Sequence, residues 1–213
     1  MNARRRIASA DLLAEAAQWR LLALLLSRPT PDRRQAVQEV ATEINDPGLA
    51  AAARAWCGHA SEGAYLHVLG PGGLVPAREV AYRPFADPGW LLADISRSHR
   101  AFGFHAHAEE PPDHIAVLTD FVSYLLLKEA YARECGNADA AEVTSRARER
   151  FITEHLAPVA ALVAERLDAS GATEWSATAH LLAAKAPAPS PATVDARSDD
   201  AEVLRCGACG GAS

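Results

Sequence analysis

Apolar residues recur every three or four positions along most of the chain, in runs separated by short clusters of proline, glycine and asparagine. The first run, residues 9–27, places Leu12, Leu13, Ala16, Trp19, Leu22, Leu25 and Leu26 at helical spacing, which predicts an amphipathic helix. Arg28-Pro29-Thr30-Pro31 ends it, since proline lacks an amide donor and disfavours helix in the residue before it. Asp32 is expected to cap a second helix to about Ile44, with Val37, Val40 and Ile44 on one face. The turn cluster Asn45-Asp46-Pro47-Gly48 precedes an alanine-rich helix to about Trp56 and a short one over 61–69. Further periodic runs predict helices over 88–102, 113–135, 138–155, 158–169 and 173–184. Gly103 should close the first of these in the left-handed conformation. Asp113 should open the second, expected to be the longest at about 33 Å.

Two stretches break the pattern. Residues 70–87 carry Gly70, Pro71, Gly72, Gly73, Pro76 and Pro84, and residues 104–112 carry His105, His107, Glu109, Glu110, Pro111 and Pro112. Loops longer than about 12–15 residues inside a compact domain are usually functional or disordered. Val80, Tyr82, Phe85 and Trp90 predict that the first is packed down, with Phe85 and Trp90 in the core. The fold class is therefore all-α: a single globular domain of eight or nine helices over residues 1–185. From about Ala186 proline, serine and then glycine dominate, so 186–213 reads as a disordered tail.

Composition narrows the function. Apolar residues make up 49% of the chain, enough for a core, and they are mostly Ala and Leu, which favour helix over strand. The formal charge of −6 disfavours nucleic acid as a partner. The N-terminus carries Arg4-Arg5-Arg6, but the apolar run Leu21–Leu26 is shorter than a signal peptide or a membrane span requires. No membrane insertion and a cytoplasmic location are expected. Cys57 and Cys135 read as small buried hydrophobes, and Cys206-Gly-Ala-Cys209 supplies only half of a tetrahedral metal site. No metal or other cofactor is expected.

Three segments carry a family resemblance. Glu110-Pro111-Pro112-Asp113-His114-Ile115, followed by Leu118 and Phe121, resembles the Glu-x-Pro-Asp-His motif of the TorD/DmsD/NarJ-like chaperones. Leu69-Gly70-Pro71-Gly72, then Pro76, Glu79 and Tyr82, resembles that family's glycine turn followed by proline, glutamate and an aromatic. Phe151-Ile152-Thr153-Glu154-His155-Leu156-Ala157-Pro158 resembles its Phe-x-x-x-His-Leu-x-Pro segment. A tryptophan often follows in relatives, where Val159 stands here. The resemblance implies a TorD-like helical fold and a non-enzymatic chaperone. Its partner would be the catalytic subunit of a molybdopterin-containing oxidoreductase, bound by its N-terminal signal or tail until cofactor insertion. Monomer and homodimer both stay open, since related chaperones exchange helices.

Many such clients carry a twin-arginine signal, whose receptor needs carboxylates beside an apolar groove. Glu79, Glu110, Asp113 and His114, with Tyr82, Trp90 and Pro112, would form that client-binding site if the two loops meet. Simpler roles stand beside this one. Asp113 caps a helix, His114 sits at the surface or bonds a loop, and Glu79 pairs with Tyr82 to lock the first loop. A second reading is a metal-dependent helical hydrolase using His105, His107, Asp113 and His114, with His99, Glu109 and Glu110 near. The segment lacks the His-x-x-x-His spacing that a helix needs to present two ligands, and no phosphate-binding glycine loop joins a strand to a helix.

Overall fold

A computed structural model of the chain describes residues 3–106 and 110–187, with side chains from Ser9 onward. The expected helices form: α1 (Ala3–Leu25), α2 (Pro31–Thr42), α3 (Pro47–His59), α4 (Glu62–Val68), α5 (Pro88–Phe102), α6 (Ile115–Glu134), α7 (Ala138–Phe151), α8 (Ala157–Ser170) and α9 (Thr173–Lys185). A 3-10 turn spans Glu79–Tyr82, and a π turn over Ile152–Leu156 carries α7 directly into α8. The fold is all-helical. Among the described residues the only β pairing is one isolated antiparallel bridge, Arg78 with His114.

Helix α6 is the axis of the molecule. It packs along α1 on one side and α7 on another, while α8 pairs with α9 and α9 reaches back to α3. Its first half is buried on nearly every side: Ile115, Leu118, Phe121, Val122 and Leu125 are all within the core. A helix surrounded in this way can hold polar groups only if they are satisfied. Thr119 bonds back to the Ile115 carbonyl at 2.7 Å, and Ser123 donates to the Ala16 carbonyl of α1 at 2.8 Å. The wholly buried Glu129 is clamped by Arg133 and Arg148.

Helix ends explain several departures from the expected pattern. Thr30, not Asp32, caps α2, its hydroxyl accepting from Arg33 N, because Pro31 suits the first helical position. His114, not Asp113, caps α6. The 23 residues of α1 exceed the 20 of α6. Gly103 ends α5 at φ 69°, in the left-handed region as expected. Cys57 is half-buried and Cys135, at the C-cap of α6, is exposed, so neither is a fully buried residue. Cys206 and Cys209 lie outside the described residues, as does the tail from residue 188.

Candidate functional site

The two proline-containing loops meet. Glu79 N donates to the Asp113 carbonyl at 2.9 Å, and Ile115 N donates to the Ala77 carbonyl at 2.8 Å. These two bonds flank the Arg78–His114 bridge and fix one loop against the other. The Asp113 side chain completes the seam. It is entirely buried and accepts from Arg78 Nε at 2.9 and 3.2 Å and from Val80 N at 3.3 Å. A carboxylate is the group that can serve an arginine and a backbone amide together.

His114 then starts α6. Its Nδ1 accepts from Ala116 N at 3.2 Å, so the ring proton sits on Nε2. Nε2 donates to the Tyr65 hydroxyl at 3.2 Å, and that hydroxyl donates to Glu110 Oε1 at 3.2 Å. The relay ties α4 to the Glu110–His114 segment. Burial pushes the His114 pKa from 6.5 down to about 4, which keeps the ring in the neutral form that the cap needs. Burial, with Glu110 adding to it, raises the Tyr65 phenol well above its usual value.

Glu79 is buried in the 3-10 turn and does not pair with Tyr82. Its Oε1 lies 2.8 Å from Arg83 Nη2 and its Oε2 lies 3.0 Å from His155 Nδ1. The other ring nitrogen of His155 is 3.5 Å from Asp94 Oδ2 of α5. Tyr82 instead donates to the Pro76 carbonyl at 2.7 Å, with the Arg166 guanidinium 5.0 Å over its ring. All three sequence segments thus converge on one buried polar network, with Glu79, Asp113 and His114 turned inward.

The exposed members lie elsewhere. Trp90 is largely exposed and Phe85 wholly so, against the expectation that both are core. The buried face of α5 follows Leu91, Ile95 and His99 at four-residue steps, and Trp90 lies about 100° around from Leu91. Glu110 and Pro112 are half-buried. Of the hydrolase residues, His105 is exposed and Asp113 and His114 are committed to the partners above, while His107 and Glu109 lie outside the described residues. Among the described residues one other set, Asp94, Glu154 and His155, brings ligand atoms within 4.8 Å of one another. Both its carboxylates are already paired, Asp94 with Arg97 at 2.6 Å and Glu154 with Arg150 at 2.9 Å.

A larger feature escaped the sequence reading. Between α1, α2, α6 and the turn after α5 runs an apolar groove of about 530 Å³, lined by Leu13, Ala16, Ala17, Phe104, Tyr124 and Leu127. It continues into a second hollow of about 370 Å³ over Leu13, Leu127, Ala130 and Tyr131. Leu13, Leu127 and Tyr131 are 49%, 46% and 73% exposed, so three large apolar side chains sit together in water. The only signal in the sequence was the width of the α1 stripe, where Leu12 and Leu13 are both apolar and only Leu12 is needed for the core. Beside the groove lies a polar cavity of about 430 Å³, which Arg20, Arg28, Arg33, Asp32, Glu110 and Asp120 help to line.

No curated protein and no solved structure matches the chain. The family model of the nitrate reductase delta subunit does match, over residues 87–165, which hold α5, α6, α7, the π turn and the Glu110–His114 and Phe151–Pro158 segments. The buried network draws on the same segments that this match covers: through residues 87–165 the chain is similar to the nitrate reductase delta subunit family.

Proposed function

We propose that the protein acts in the cytoplasm by holding the catalytic subunit of a nitrate-reductase-type molybdoenzyme through that subunit's N-terminal segment until the molybdopterin cofactor is inserted. The observation that carries this reading is the groove along α1 and α6, where Leu13, Leu127 and Tyr131 remain exposed. Exposed apolar patches of this kind mark interaction sites, and a groove between helices accepts the apolar face of another helix. A twin-arginine signal and an uncleaved amphipathic N-terminus both present such a face.

Within this reading the motif residues divide by exposure. Trp90, Glu110 and Pro112 are reachable by a client. Glu79, Tyr82, Asp113 and His114 act behind them, by fixing the first loop and fastening the two loops to each other. Buried carboxylates already paired with Arg78 and Arg83 are poor receptors for a client arginine, since taking them would strand a charge.

The test is co-purification from the native host, grown with and without oxygen, using tagged wild type and Leu13→Glu and Leu127→Glu variants. Both leucines are half-exposed, so the variants should fold. The wild type should recover a large molybdopterin-binding subunit and the two variants should lose it. Recovery of no such subunit, or undiminished recovery by both variants, refutes the reading.

A further inference from the structure

The apolar groove and the polar cavity beside it share two lining residues, Arg20 of α1 and Asp120 of α6. The two side chains form a direct ion pair, so this pair is the wall between the compartments. The wall is only partly buried: 38% of the Arg20 side chain and 18% of the Asp120 side chain remain accessible. Around the groove and its extension stand three carboxylates, Glu43, Asp120 and Glu134, against one guanidinium, Arg20, which Asp120 already holds. The rim therefore favours a basic occupant.

We propose that Arg20 is a placeholder. A helical partner segment with an arginine or lysine beside its apolar face takes Asp120 for itself, and Arg20 swings into the polar cavity toward Asp32 and Glu110. The exchange replaces one cation by another, so Asp120 is never left half-buried and unpaired. That is the condition under which displacing an ion pair is cheap. It also gives the groove a preference that apolar contact alone lacks. A basic residue is accepted at this level of the groove, a neutral one leaves the Arg20 wall standing, and an acidic one meets Asp120 with like charge. The inference rests on the groove reading above and names the residue pair that sets its specificity.

The test uses the full-length protein and three synthetic 16-residue helical peptides with identical leucine faces. They differ at one flanking position, which is Arg, Gln or Glu. Affinities are measured by fluorescence anisotropy for wild type, Arg20→Gln, Asp120→Asn and the charge-swapped double variant Arg20→Asp/Asp120→Arg, with circular dichroism confirming the fold of each. The Arg peptide should bind wild type ~5-fold tighter than the Gln peptide, the scale of one partly exposed ion pair. Asp120→Asn should abolish that preference. Arg20→Gln should tighten the Arg peptide and leave the Gln peptide unchanged, and the swapped variant should prefer the Glu peptide. If the Gln and Arg peptides bind wild type alike, or Asp120→Asn keeps the preference, the placeholder is wrong and the groove still stands. If none of the peptides binds, groove and placeholder fall together.

Discussion

Replacing Asp113 by alanine separates a framework role for the proline-motif aspartate from a direct one. The carboxylate is wholly buried and holds two groups: Arg78 through Nε and the Val80 amide. Alanine leaves the Val80 N–H without its acceptor in a part-buried seam, at a cost of roughly 2 kcal/mol. The Arg78 side chain is 42% accessible and can rehydrate, so its share is held to the exposed-pair scale of about 1 kcal/mol. The sum, about 3 kcal/mol, corresponds to a fall in Tm of roughly 6–12 °C for a domain of this size.

Urea and thermal unfolding of Asp113→Ala, Arg78→Ala and the double variant measure both the cost and its source. The single variants should couple by ~1 kcal/mol, because the second substitution removes a partner already lost. A loss below about 1 kcal/mol for Asp113→Ala, or strictly additive singles, would show that the carboxylate does not stitch the loops. A variant as stable as wild type that no longer holds its client would return Asp113 to the client surface.

Other consequences follow from the buried groups. His99 and His114 both have pKa values lowered from 6.5 to about 4, chiefly by burial, so the unfolded chain takes up protons that the folded one refuses. Stability present above pH 6.5 should fall as the pH drops toward 4, by up to about 3 kcal/mol for each ring, and then level off; urea titrations at pH 7.5 and 5 test this, and His99→Leu should flatten the slope. Glu129→Ala should cost about 3 kcal/mol, since it leaves the Arg148 charge half-buried without its carboxylate. The double variant Glu129→Met/Arg148→Leu should recover most of that loss in the same unfolding assay. Gly103→Ala, at φ 69°, should cost about 1 kcal/mol and lower Tm accordingly.

The helices were legible because their signals are local: periodic leucines, prolines at first turns, and a glycine at the end of α5. What local signals could not decide was which of two neighbouring residues would do a job. Asp113 is the better cap by type, yet Arg78, 35 positions away, claims its carboxylate, and His114 caps α6 instead. Thr30 displaced Asp32 for a simpler reason, that Pro31 itself takes the first turn. The meeting of the two loops was legible only as an expectation and the arrival of the third segment not at all, because nothing in the spacing of Glu79 and His155 announces a 3.0 Å contact. The groove was hidden by the same apolar pattern that revealed the helices. Leu13 and Leu127 sit in apolar runs that read as core, and only the packing of α1 on α6 leaves them uncovered.

The buried network and the groove are parts of one arrangement. Gly103 turns the chain out of α5 so that Phe104 tucks against His99 and Phe121, while His105 beside it lines the groove. The same loop returns at Glu110 and is fastened at Asp113 and His114, through Arg78, Val80 and Tyr65. One wall of the groove is therefore Phe104 and His105, set just past α5 where Phe104 packs on His99 and Phe121. Buried polar groups that are fully partnered cost little and permit only one geometry. Phe104, packed on His99 and Phe121, arrives preorganised, which would reduce the ordering cost of docking a helix. The floor is built differently, from Ala16, Ala17 and the Ser123 bond to the Ala16 carbonyl, small groups that bring α1 and α6 close. A close floor beneath flared leucines is what makes the surface concave. In the proposed reading the leucines make the contact, and the proline motif acts behind them, with Asp113 and His114 held in the core.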